Sequence, residues 1–250
     1  MLTNKVAIVT GAGTGIGKEV AKLFGKNHAS VVINYRSSEK EANEVKKEIE
    51  QMGSKAITVK ADISNYDDCK KIIKESLDAF GHIDVLVNNS GMGLSKGNIL
   101  DITDEEYHKV MKTNIDGTYY MTTLTLKQME EQGTGGSIVS ISSSAVAQPS
   151  SGNGPYAMSK AAVELLMRSI AQNHGVNGIR CNIVAPGPTE TNMVKEFFDE
   201  EKRNRVTKEI PLRRFGDPKE TAQAVLFFAS DMSSYVTGQK IHVDGGRTIR

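Results

Sequence analysis

The chain alternates between short apolar runs and longer amphipathic segments, and this alternation constrains its fold more than any other feature. Six runs are apolar nearly throughout and rich in β-branched residues, as buried strands are: KVAIVT, SVVINY, KAITVKAD, IDVLVNN, GSIVSIS and IRCNIVAP. The segments between them show helical spacing, with one apolar face predicted over Glu39–Met52 and another over Tyr66–Phe80. Repeated strand–helix–strand units predict a parallel sheet with helices on both faces.

We predict one domain over residues 1–250, of α/β class, with a Rossmann-type, doubly wound parallel sheet. A length of 250 residues fits a single α/β domain, and no Pro/Gly/Ser-rich linker or low-complexity tract divides the chain. Its 38% hydrophobic and 24% charged residues are ordinary values for a globular protein. In open parallel sheets ligands bind at the carboxyl ends of the strands, so the residues that follow each strand are the candidates for a site.

Charge and composition exclude several classes of function. The net charge is +1 with no basic block, so we expect no nucleic-acid partner. No apolar run approaches the ~20 residues that span a bilayer, and a strand follows directly after MLTNK, so we expect no membrane segment and no signal peptide. Cys69 and Cys181 lack a metal or redox spacing and the five histidines are scattered, which predicts a reduced cytoplasmic setting and no catalytic metal.

A glycine-rich stretch, VTGAGTGIGKEV, follows the first apolar run. Its spacing is G-x-x-x-G-x-G through Gly11, Gly15 and Gly17, which differs from the usual dinucleotide pattern G-x-G-x-x-G; Thr14 and Ile16 fill the gaps. Glycines allow a tight turn and a close approach of the backbone, and the N–H groups at a helix start suit a pyrophosphate. The stretch predicts a phosphate-binding loop with helix one beginning near Gly15.

The end of the second strand indicates which nucleotide this loop binds. NAD-binding proteins usually carry an acidic residue about 20 positions beyond the glycines, where it holds the ribose hydroxyls. Here the stretch reads VVINYRSSEK, with no acid before Glu39 and with Arg36 at the strand end. An arginine there suits a 2′-phosphate through charge-assisted hydrogen bonds, which favours NADP over NAD. The alternative is a solvated arginine in a polar loop.

Tyr156 and Lys160, in PYAMSKAAVELLMRSIA, are four residues apart and therefore share a helix face. A free tyrosine has a pKa of about 10 and is a poor base at neutral pH. We expect the lysine ammonium and an oxidised nicotinamide to lower that pKa, so that Tyr156 exchanges a proton while the cofactor exchanges a hydride. A Y-x-x-x-K pattern alone is weak, because many helices contain it by chance.

Together with the other motifs of the chain, the Y-x-x-x-K pattern becomes specific. The chain contains, in order, TGAGTGIG, NNSG, MKTNIDG, ISSS, YAMSK and APG. In this set it resembles the short-chain dehydrogenase/reductase family in its single-domain form, from KVAIVTGAGTGIG to SYVTGQKIHVDGG. The resemblance implies Tyr156 as general acid/base and Lys160 as the residue that lowers its pKa and holds the nicotinamide ribose. It implies Ser143 as the hydrogen-bond partner of the substrate oxygen, and Asn114 as support for a water-linked proton relay.

The resemblance also implies cofactor contacts. Asp62, with the backbone of Ile63, matches the adenine contact after strand three. NNSG matches the family's N-N-A-G, with serine in place of alanine, and the P-G segment brings two threonines toward the nicotinamide amide and diphosphate. The residues implied here are Asn89, Ser90, Gly91, Thr189 and Thr191. Relatives are mostly homotetramers, paired through helices at about 104–129 and 155–174 and through the C-terminal strand region.

The substrate is less constrained. The segment TNMVKEFFDEEKRNRVTKEIPLRRFG mixes apolar residues with charges, which fits either a substrate lid at about 190–212 or a solvated helix packing two phenylalanines into the core. Three small-molecule readings stay open: a reductase of small ketones, a 3-oxoacyl-carrier-protein reductase, and a glucose or other sugar dehydrogenase. An acidic carrier protein needs a basic dock, which KQMEEQGTGGS and QNHGVNGIR do not supply. A catalytically inactive nucleotide-binding regulator is the alternative from another class, and the intact set of site residues argues against it.

Overall fold

The structure, a computed structural model, describes residues 1–150 and 152–249. Among these residues one sheet has seven strands, in the order β3-β2-β1-β4-β5-β6-β7, and every neighbouring pair is parallel. The strands are β1 (Val6–Val9), β2 (Ser30–Tyr35), β3 (Ala56–Lys60), β4 (Val85–Asn88), β5 (Gly136–Ile141), β6 (Ile179–Pro186) and β7 (Lys240–Val243). The helices are α1 (Gly15–Lys26), α2 (Glu39–Gln51), α3 (Tyr66–Phe80), α4 (Asp104–Met111), α5 (Gly117–Gln132), α6 (Gly154–His174), α7 (Asn192–Phe197), α8 (Glu200–Glu209) and α9 (Pro218–Ala229).

The sheet is covered on both faces, as the apolar runs predict. Side chains alternate along each strand, so Ala7 and Val9 enter one buried cluster while Ile8 enters the other. The first cluster packs the sheet against α1, α2 and α9, and the second packs it against α3, α5 and α6. The prediction of a doubly wound parallel α/β domain is therefore confirmed.

The strand order creates a crevice between β1 and β4. From β1 the chain adds β2 and β3 on one side, then returns to add β4 and the later strands on the other. Loops leave the carboxyl ends of these two central strands in opposite directions, which is where ligands bind in open parallel sheets. Both the glycine stretch and NNSG follow these strands, so the topology brings them to one place.

Three segments differ in detail from the sequence expectation. β7 is an edge strand whose polar Lys240 and His242 interrupt any apolar run. The helix expected at about 104–129 is divided into α4 and α5 by a π-helical turn, Lys112–Asp116, that carries the buried Asn114. The amphipathic segment after β6 forms two helices rather than one.

The division of this last segment has a local cause. Phe198, between α7 and α8, is extended, with φ −125° and ψ 103°. The carboxylate of Asp199 then accepts a hydrogen bond from the Lys202 N–H at 2.7 Å, which caps the start of α8.

In the described part of the chain no helix is long and apolar enough to cross a membrane.

Candidate active site

The glycine stretch forms the loop between β1 and the start of α1. Gly11 has φ +62°, in the left-handed region, where a residue with a side chain would be strained. At Gly17, in the first turn of α1, an added Cβ would lie 2.5 Å from the carbonyl oxygen of Gly11 and 2.4 Å from Asn89 Nδ2. The helix start can pack this closely on the loop only with glycine at that position. The open N-terminus of α1 therefore faces the crevice, as an anion site requires.

Buried polar side chains hold the loop from behind. Asn34, at the end of β2, accepts a hydrogen bond from the Gly11 N–H at 3.2 Å and donates to the carbonyls of Val59 at 3.3 Å and Ala61 at 3.0 Å. Asn34 is 1% exposed, and every hydrogen bond to its side chain reaches backbone. Sequence reasoning missed this residue, although an asparagine in the apolar run SVVINY is the signal that could have found it.

Thr10 and Asn89 join the loops that follow β1 and β4. The Thr10 hydroxyl accepts hydrogen bonds from the N–H groups of Asn89 and Ser90, both at 3.0 Å. Asn89 Nδ2 donates to the carbonyls of Thr10 at 2.9 Å and Gly11 at 3.1 Å. Thr10 is a further functional-site residue that the sequence reasoning did not select. The network fixes the two sides of the crevice relative to each other.

At the far end of the crevice Arg36 and Asp62 form an ion pair. Arg36 Nη1 lies 3.6 Å from Asp62 Oδ2, and the arginine side chain is 55% exposed. Partial burial opposes ionisation of Asp62, but hydrogen bonds from Ser64 and the neighbouring guanidinium outweigh it and hold its pKa below the usual value. Ile63 follows and is buried against Gly117, where an added Cβ would lie 2.7 Å from its Cδ1. The guanidinium is held in place yet open to an anion.

At the centre of the crevice α6 meets the end of β5. The Ser143 hydroxyl accepts a hydrogen bond from the Ala145 N–H at 3.1 Å and lies beside Tyr156, whose pKa it influences. Lys160 Nζ donates to the Ile141 carbonyl at 2.9 Å and lies 5.9 Å from the centroid of the Tyr156 ring. The structure thus brings Ser143, Tyr156 and Lys160 together from separate elements.

The pKa values of the pair differ from the expectation for the protein alone. Burial raises the pKa of Tyr156, and the neighbouring Ser143 hydroxyl only partly opposes this. Burial also lowers the pKa of Lys160 to about 8. The expected lowering of the Tyr156 pKa includes the charge of an oxidised nicotinamide and stays a prediction; for the chain alone, desolvation disfavours both charged forms. Tyr156 rests as a neutral phenol, the form that donates a proton.

Asn114 lies behind this centre rather than in it. Its Oδ1 accepts from the Met92 N–H at 2.7 Å, while Nδ2 donates to the Met92 carbonyl and to Ser159 Oγ, each at 3.0 Å. A Cβ added to Gly91 would lie 3.5 Å from Asn114 Oδ1 and 3.1 Å from Lys160 Nζ. The π-helical turn thus places Asn114 where it holds the loop after β4 beside the lysine ammonium.

The loop after β6 closes over the glycine stretch. Thr191 caps the start of α7, accepting from the Val194 N–H at 3.4 Å, and its methyl carbon would lie 3.3 Å from a Cβ on Gly15. The Thr189 hydroxyl donates to the Gly187 carbonyl at 2.9 Å, and Thr189 pairs with Gly216 in an isolated bridge. Both threonines therefore reach the crevice, and their contacts with a cofactor stay a prediction.

These elements enclose a cavity of about 730 Å³. Two of the predicted site residues, Gly17 and Asn114, lie behind its wall, and the others line it: Gly11, Thr14, Gly15, Ile16, Arg36, Asp62, Ile63, Asn89, Ser90, Gly91, Ser143, Tyr156, Lys160, Thr189 and Thr191. The described residues contain no group of three or more His, Cys, Asp or Glu side chains that could hold a metal ion.

The end of the cavity opposite Arg36 is lined by α7, α8 and the loop after Ser143. Phe197 lies against Gly93, where a Cβ would be 2.6 Å from the phenylalanine ring. Phe198 instead stacks edge-on against Phe215, with ring centroids 5.5 Å apart, in a small cluster separate from the two sheet clusters. Both phenylalanines line the cavity, and Phe198 also packs into the small apolar cluster, so the segment combines the two alternatives.

A parallel sheet whose crevice carries a glycine loop and a tyrosine–lysine pair suits an oxidoreductase of the kind that acts on CH–OH groups. A family model described as enoyl-(acyl carrier protein) reductase matches residues 11–248. The chain belongs to the short-chain dehydrogenase/reductase family.

Curated relatives span nearly the whole chain. L-rhamnose 1-dehydrogenase (NAD(P)(+)) of Azotobacter vinelandii is 40% identical, over 98% of this chain and 97% of the relative. Glucose 1-dehydrogenase 2 of Bacillus subtilis is 37% identical, over 99% and 96%. The 3-oxoacyl-[acyl-carrier-protein] reductase FabG of Staphylococcus epidermidis is 36% identical, over 97% and 98%.

A solved structure has the same fold. The short-chain type dehydrogenase/reductase from Mycobacterium marinum superposes with a TM-score of 0.94 at 32% sequence identity, covering all of this chain and 97% of the other. The family and its nicotinamide cofactor chemistry, NAD(P), follow from these similarities. They leave the substrate and the preference between the two cofactors open.

Proposed function

We propose that the protein transfers a hydride between NADP(H) and a small ketone or secondary alcohol, with Tyr156 as the general acid/base. The observation that carries this proposal is that Ser143, Tyr156 and Lys160 line the same cavity as the glycine loop. Lys160, on the next turn of the same helix, extends the arrangement toward Gly91. Phosphate-binding backbone, proton donor and substrate-oxygen partner then share one cavity, as hydride transfer to a carbonyl requires.

The cavity has features that fit a dinucleotide. Gly11 and Gly15 have left-handed backbone conformations, with φ +62° and +56°, that let the loop turn tightly, and the N–H groups at the start of α1 would hold the pyrophosphate. Asp62 and Ile63 would hold the adenine, while Asn89, Ser90, Gly91, Thr189 and Thr191 would line the nicotinamide side. Bound there, the nicotinamide supplies the hydride.

The chain's own residues would supply the proton and orient the carbonyl. In the reducing direction Tyr156 donates its phenol proton to the carbonyl oxygen as the carbon accepts the hydride, and the Ser143 hydroxyl hydrogen-bonds the same oxygen. Lys160 stabilises the phenolate that results and takes part in returning a proton to it. Asn114 holds the Met92 backbone beside the ammonium. In the oxidising direction the same groups act in reverse.

Tyr156→Phe tests this mechanism. Phenylalanine keeps the ring but removes the proton donor, so we expect kcat to fall by about 10²–10⁴-fold with little change in cofactor affinity. Tyr66→Phe is the matched control, because Tyr66 lies on α3 outside the cavity and should retain full turnover. Assays with both cofactors against simple ketones, sugars and 3-oxoacyl thioesters provide the readout. Turnover by Tyr156→Phe at the wild-type rate would exclude the mechanism.

Arg36 carries the proposed preference for NADP over NAD. Its guanidinium faces the cavity and pairs only with Asp62 among the described residues. We expect Arg36→Ala to raise KM for NADPH by tenfold or more and KM for NADH by less than about twofold, since a charged hydrogen bond contributes about 1.5–3 kcal/mol. Lys60→Ala, which removes a nearby charge outside the cavity, is the control. An equal effect on both cofactors would remove Arg36 as the 2′-phosphate ligand.

A sugar 1-dehydrogenase is the candidate that one observation favours among narrower functions. The rhamnose and glucose dehydrogenases are 37–40% identical to this protein along nearly the whole chain. In addition, Gln148 and Asn153 line the cavity and supply amide groups that suit the hydroxyls of a sugar. Docking of an acidic carrier protein is less well supported. Glu130 accepts hydrogen bonds from His174 and Asn177, both at 2.7 Å, in the region where such a partner needs basic residues.

Three further expectations belong to the proposal. The α7–α8 segment acts as the substrate lid, since Phe197 and Met193 already cover Gly93.

Exposed apolar residues on α5 and α6, Tyr119, Met158 and Leu165, fit pairing of these helices in a homotetramer, which a mass measurement in solution tests. Burial raises the pKa of the free thiols Cys69 and Cys181 to about 12, which fits a reduced cytoplasmic setting.

A further inference from the structure

The contact between α6 and the end of β5 extends beyond Tyr156 and Lys160. Three α6 side chains, spaced four residues apart, contact three successive residues of the strand end. The third contact joins Ser142 Oγ, which donates, to Glu164 Oε1 at 2.7 Å. Ile141 and Ser142 are thus hydrogen-bonded to the helix that carries the proposed proton donor, and Ser143 lies beside that donor.

Glu164 is a buried carboxylate with a paired charge. It is 5% exposed, and its second oxygen, Oε2, accepts from Lys240 Nζ at 2.9 Å. Lys240 lies at the start of β7, and its side chain is 19% exposed. An uncompensated carboxylate at this depth would carry a large free-energy penalty, so Lys240 is what allows Glu164 to remain there. The pair links α6, β5 and β7.

Stability alone does not account for this arrangement. A buried ion pair is seldom more stabilising than two apolar side chains of the same size, and Val163 and Met167, beside Glu164, are apolar and buried. What an ion pair adds is direction, since a charged oxygen fixes the hydroxyl that donates to it. Ser142 is the hydroxyl fixed here, and Ser143 follows it with an extended backbone, φ −161° and ψ 149°.

We propose that Glu164 is a positioning residue for Ser143: held by Lys240, its carboxylate anchors Ser142 and thereby sets the distance between Ser143 and Tyr156. The inference rests on the proposed function, because it gives Ser143 and Tyr156 their catalytic roles. Glu164 does not line the cavity, so it acts through its neighbours. Loss of the anchor is expected to lower kcat and to leave KM for NADPH unchanged, since the cofactor contacts lie elsewhere.

The test compares three variants of the full-length protein. Glu164→Gln keeps both contacts, because the amide oxygen accepts from Lys240 and the amide nitrogen donates to Ser142; kcat should stay within about twofold. The double variant Glu164→Leu with Lys240→Met removes both charges together and leaves Ser142 without its anchor; kcat should fall about tenfold or more with Tm retained. Ser142→Ala removes the hydroxyl alone and should lower kcat about fivefold or more, again at constant KM for NADPH.

The outcomes separate the inference from the proposed function. Wild-type kcat in the folded double variant, or in Ser142→Ala, overturns the positioning role of Glu164. If the double variant does not fold, Ser142→Ala decides alone. Turnover that survives in Tyr156→Phe overturns the proposed function instead, whatever the Glu164 variants do. Both the inference and the proposed function are supported if kcat falls in the double variant and in Ser142→Ala but not in Glu164→Gln. KM for NADPH should then be constant in all three, and Tyr156→Phe should be inactive.

Discussion

Two walls of the cavity are held in place in different ways. The glycine wall (residues 10–17, 34–38 and 89–91) is fixed by the side chains of buried Asn34 and half-buried Asn89, whose hydrogen bonds end on backbone atoms. The helical wall (192–209, in α7 and α8) has mostly exposed side chains and rests on one small cluster around Val206, Ile210 and Phe215. Fixed backbone suits a ligand of constant shape, whereas a lightly packed segment can open and close.

The difference also concerns what a substitution can do. At Gly17, in the glycine wall, the atoms nearest to a new side chain are the Asn89 amide nitrogen and backbone atoms, which cannot move without breaking other hydrogen bonds. In the helical wall the nearest atoms belong to side chains with exposed ends, such as Met193 and Phe197. We therefore expect changes in the first wall to affect both stability and cofactor binding, and changes in the second to affect mainly the carbonyl substrate.

The largest effect is expected at Gly17. Alanine there would place a Cβ 2.5 Å from the Gly11 carbonyl oxygen, so the helix start or the loop must shift. We expect Gly17→Ala to lower the free energy of unfolding by about 2–3 kcal/mol. The dissociation constant for NADPH, measured by fluorescence titration, should rise at least about tenfold, because the shift moves the proposed phosphate loop.

Gly175→Ala is the matched control. Gly175 has φ −58°, and a Cβ there meets no atom within 4 Å among the described residues. The substitution should change stability by less than about 1 kcal/mol, or raise it slightly through the unfolded state. Similar losses in both variants would show that the glycine wall is not fixed as we describe.

Burial of the Lys160 side chain lowers the free energy of unfolding of the protein. Its pKa of about 8, against 10.5 for a free lysine, means that burial disfavours the ammonium by about 3 kcal/mol. This penalty is fully present below pH 8 and fades as the pH rises to 10.5, where the unfolded lysine also loses its proton. Lys160→Met should therefore raise the free energy of unfolding at pH 7 by about 2 kcal/mol, after the lost hydrogen bond to Ile141 offsets about 1 kcal/mol.

The measurement is urea unfolding at pH 7 and pH 9.5, at one protein concentration. The stabilisation should be smaller at pH 9.5, and turnover should be lost at both. Lys71→Met is the control, since Lys71 Nζ also donates to a carbonyl, that of Lys60 at 3.0 Å, but its side chain is 48% exposed. It should change stability by less than about 0.5 kcal/mol at either pH. Destabilisation by Lys160→Met at pH 7 would contradict the assigned penalty.

Features of the fold and the site that neighbouring residues determine were predictable from the sequence. β1 to β6 were predictable because each is an apolar run, and the glycine loop because its spacing lies within seven residues. The Tyr156–Lys160 pair follows from helical periodicity alone. Ser143 needed the family resemblance, since nothing local distinguishes it from the serines on either side.

Features set by distant contacts were not predictable. Asn34 bonds backbone 23 to 27 residues away, and Glu164 pairs with Lys240 across 76 residues, so neither leaves a local pattern. The π-helical turn at Asn114 depends on the Met92 backbone, and a helical hydrophobic pattern cannot reveal it. The raised pKa of Tyr156 is likewise a consequence of burial in the folded chain.

The smallest global effect is expected in the helical wall, where Val206→Ala tests whether the segment opens independently. Val206, on α8, is 6% exposed, and Val225, on α9, is fully buried in the sheet cluster. The same truncation should lower the global free energy of unfolding by about 2 kcal/mol at Val225 and by less than about 0.5 kcal/mol at Val206. Hydrogen exchange should accelerate across 192–210 only in Val206→Ala.

Kinetics complete this comparison. Val206→Ala should raise KM for the carbonyl substrate about two- to fivefold and leave KM for NADPH unchanged, because an open segment withdraws Phe197 from the cavity but leaves the glycine wall in place. Val225→Ala should leave both KM values close to wild type, since it acts on global stability. Equal losses of global stability in the two variants would mean that α7 and α8 unfold only with the sheet. The helical wall would then be as fixed as the glycine wall, and substrate entry would need another route.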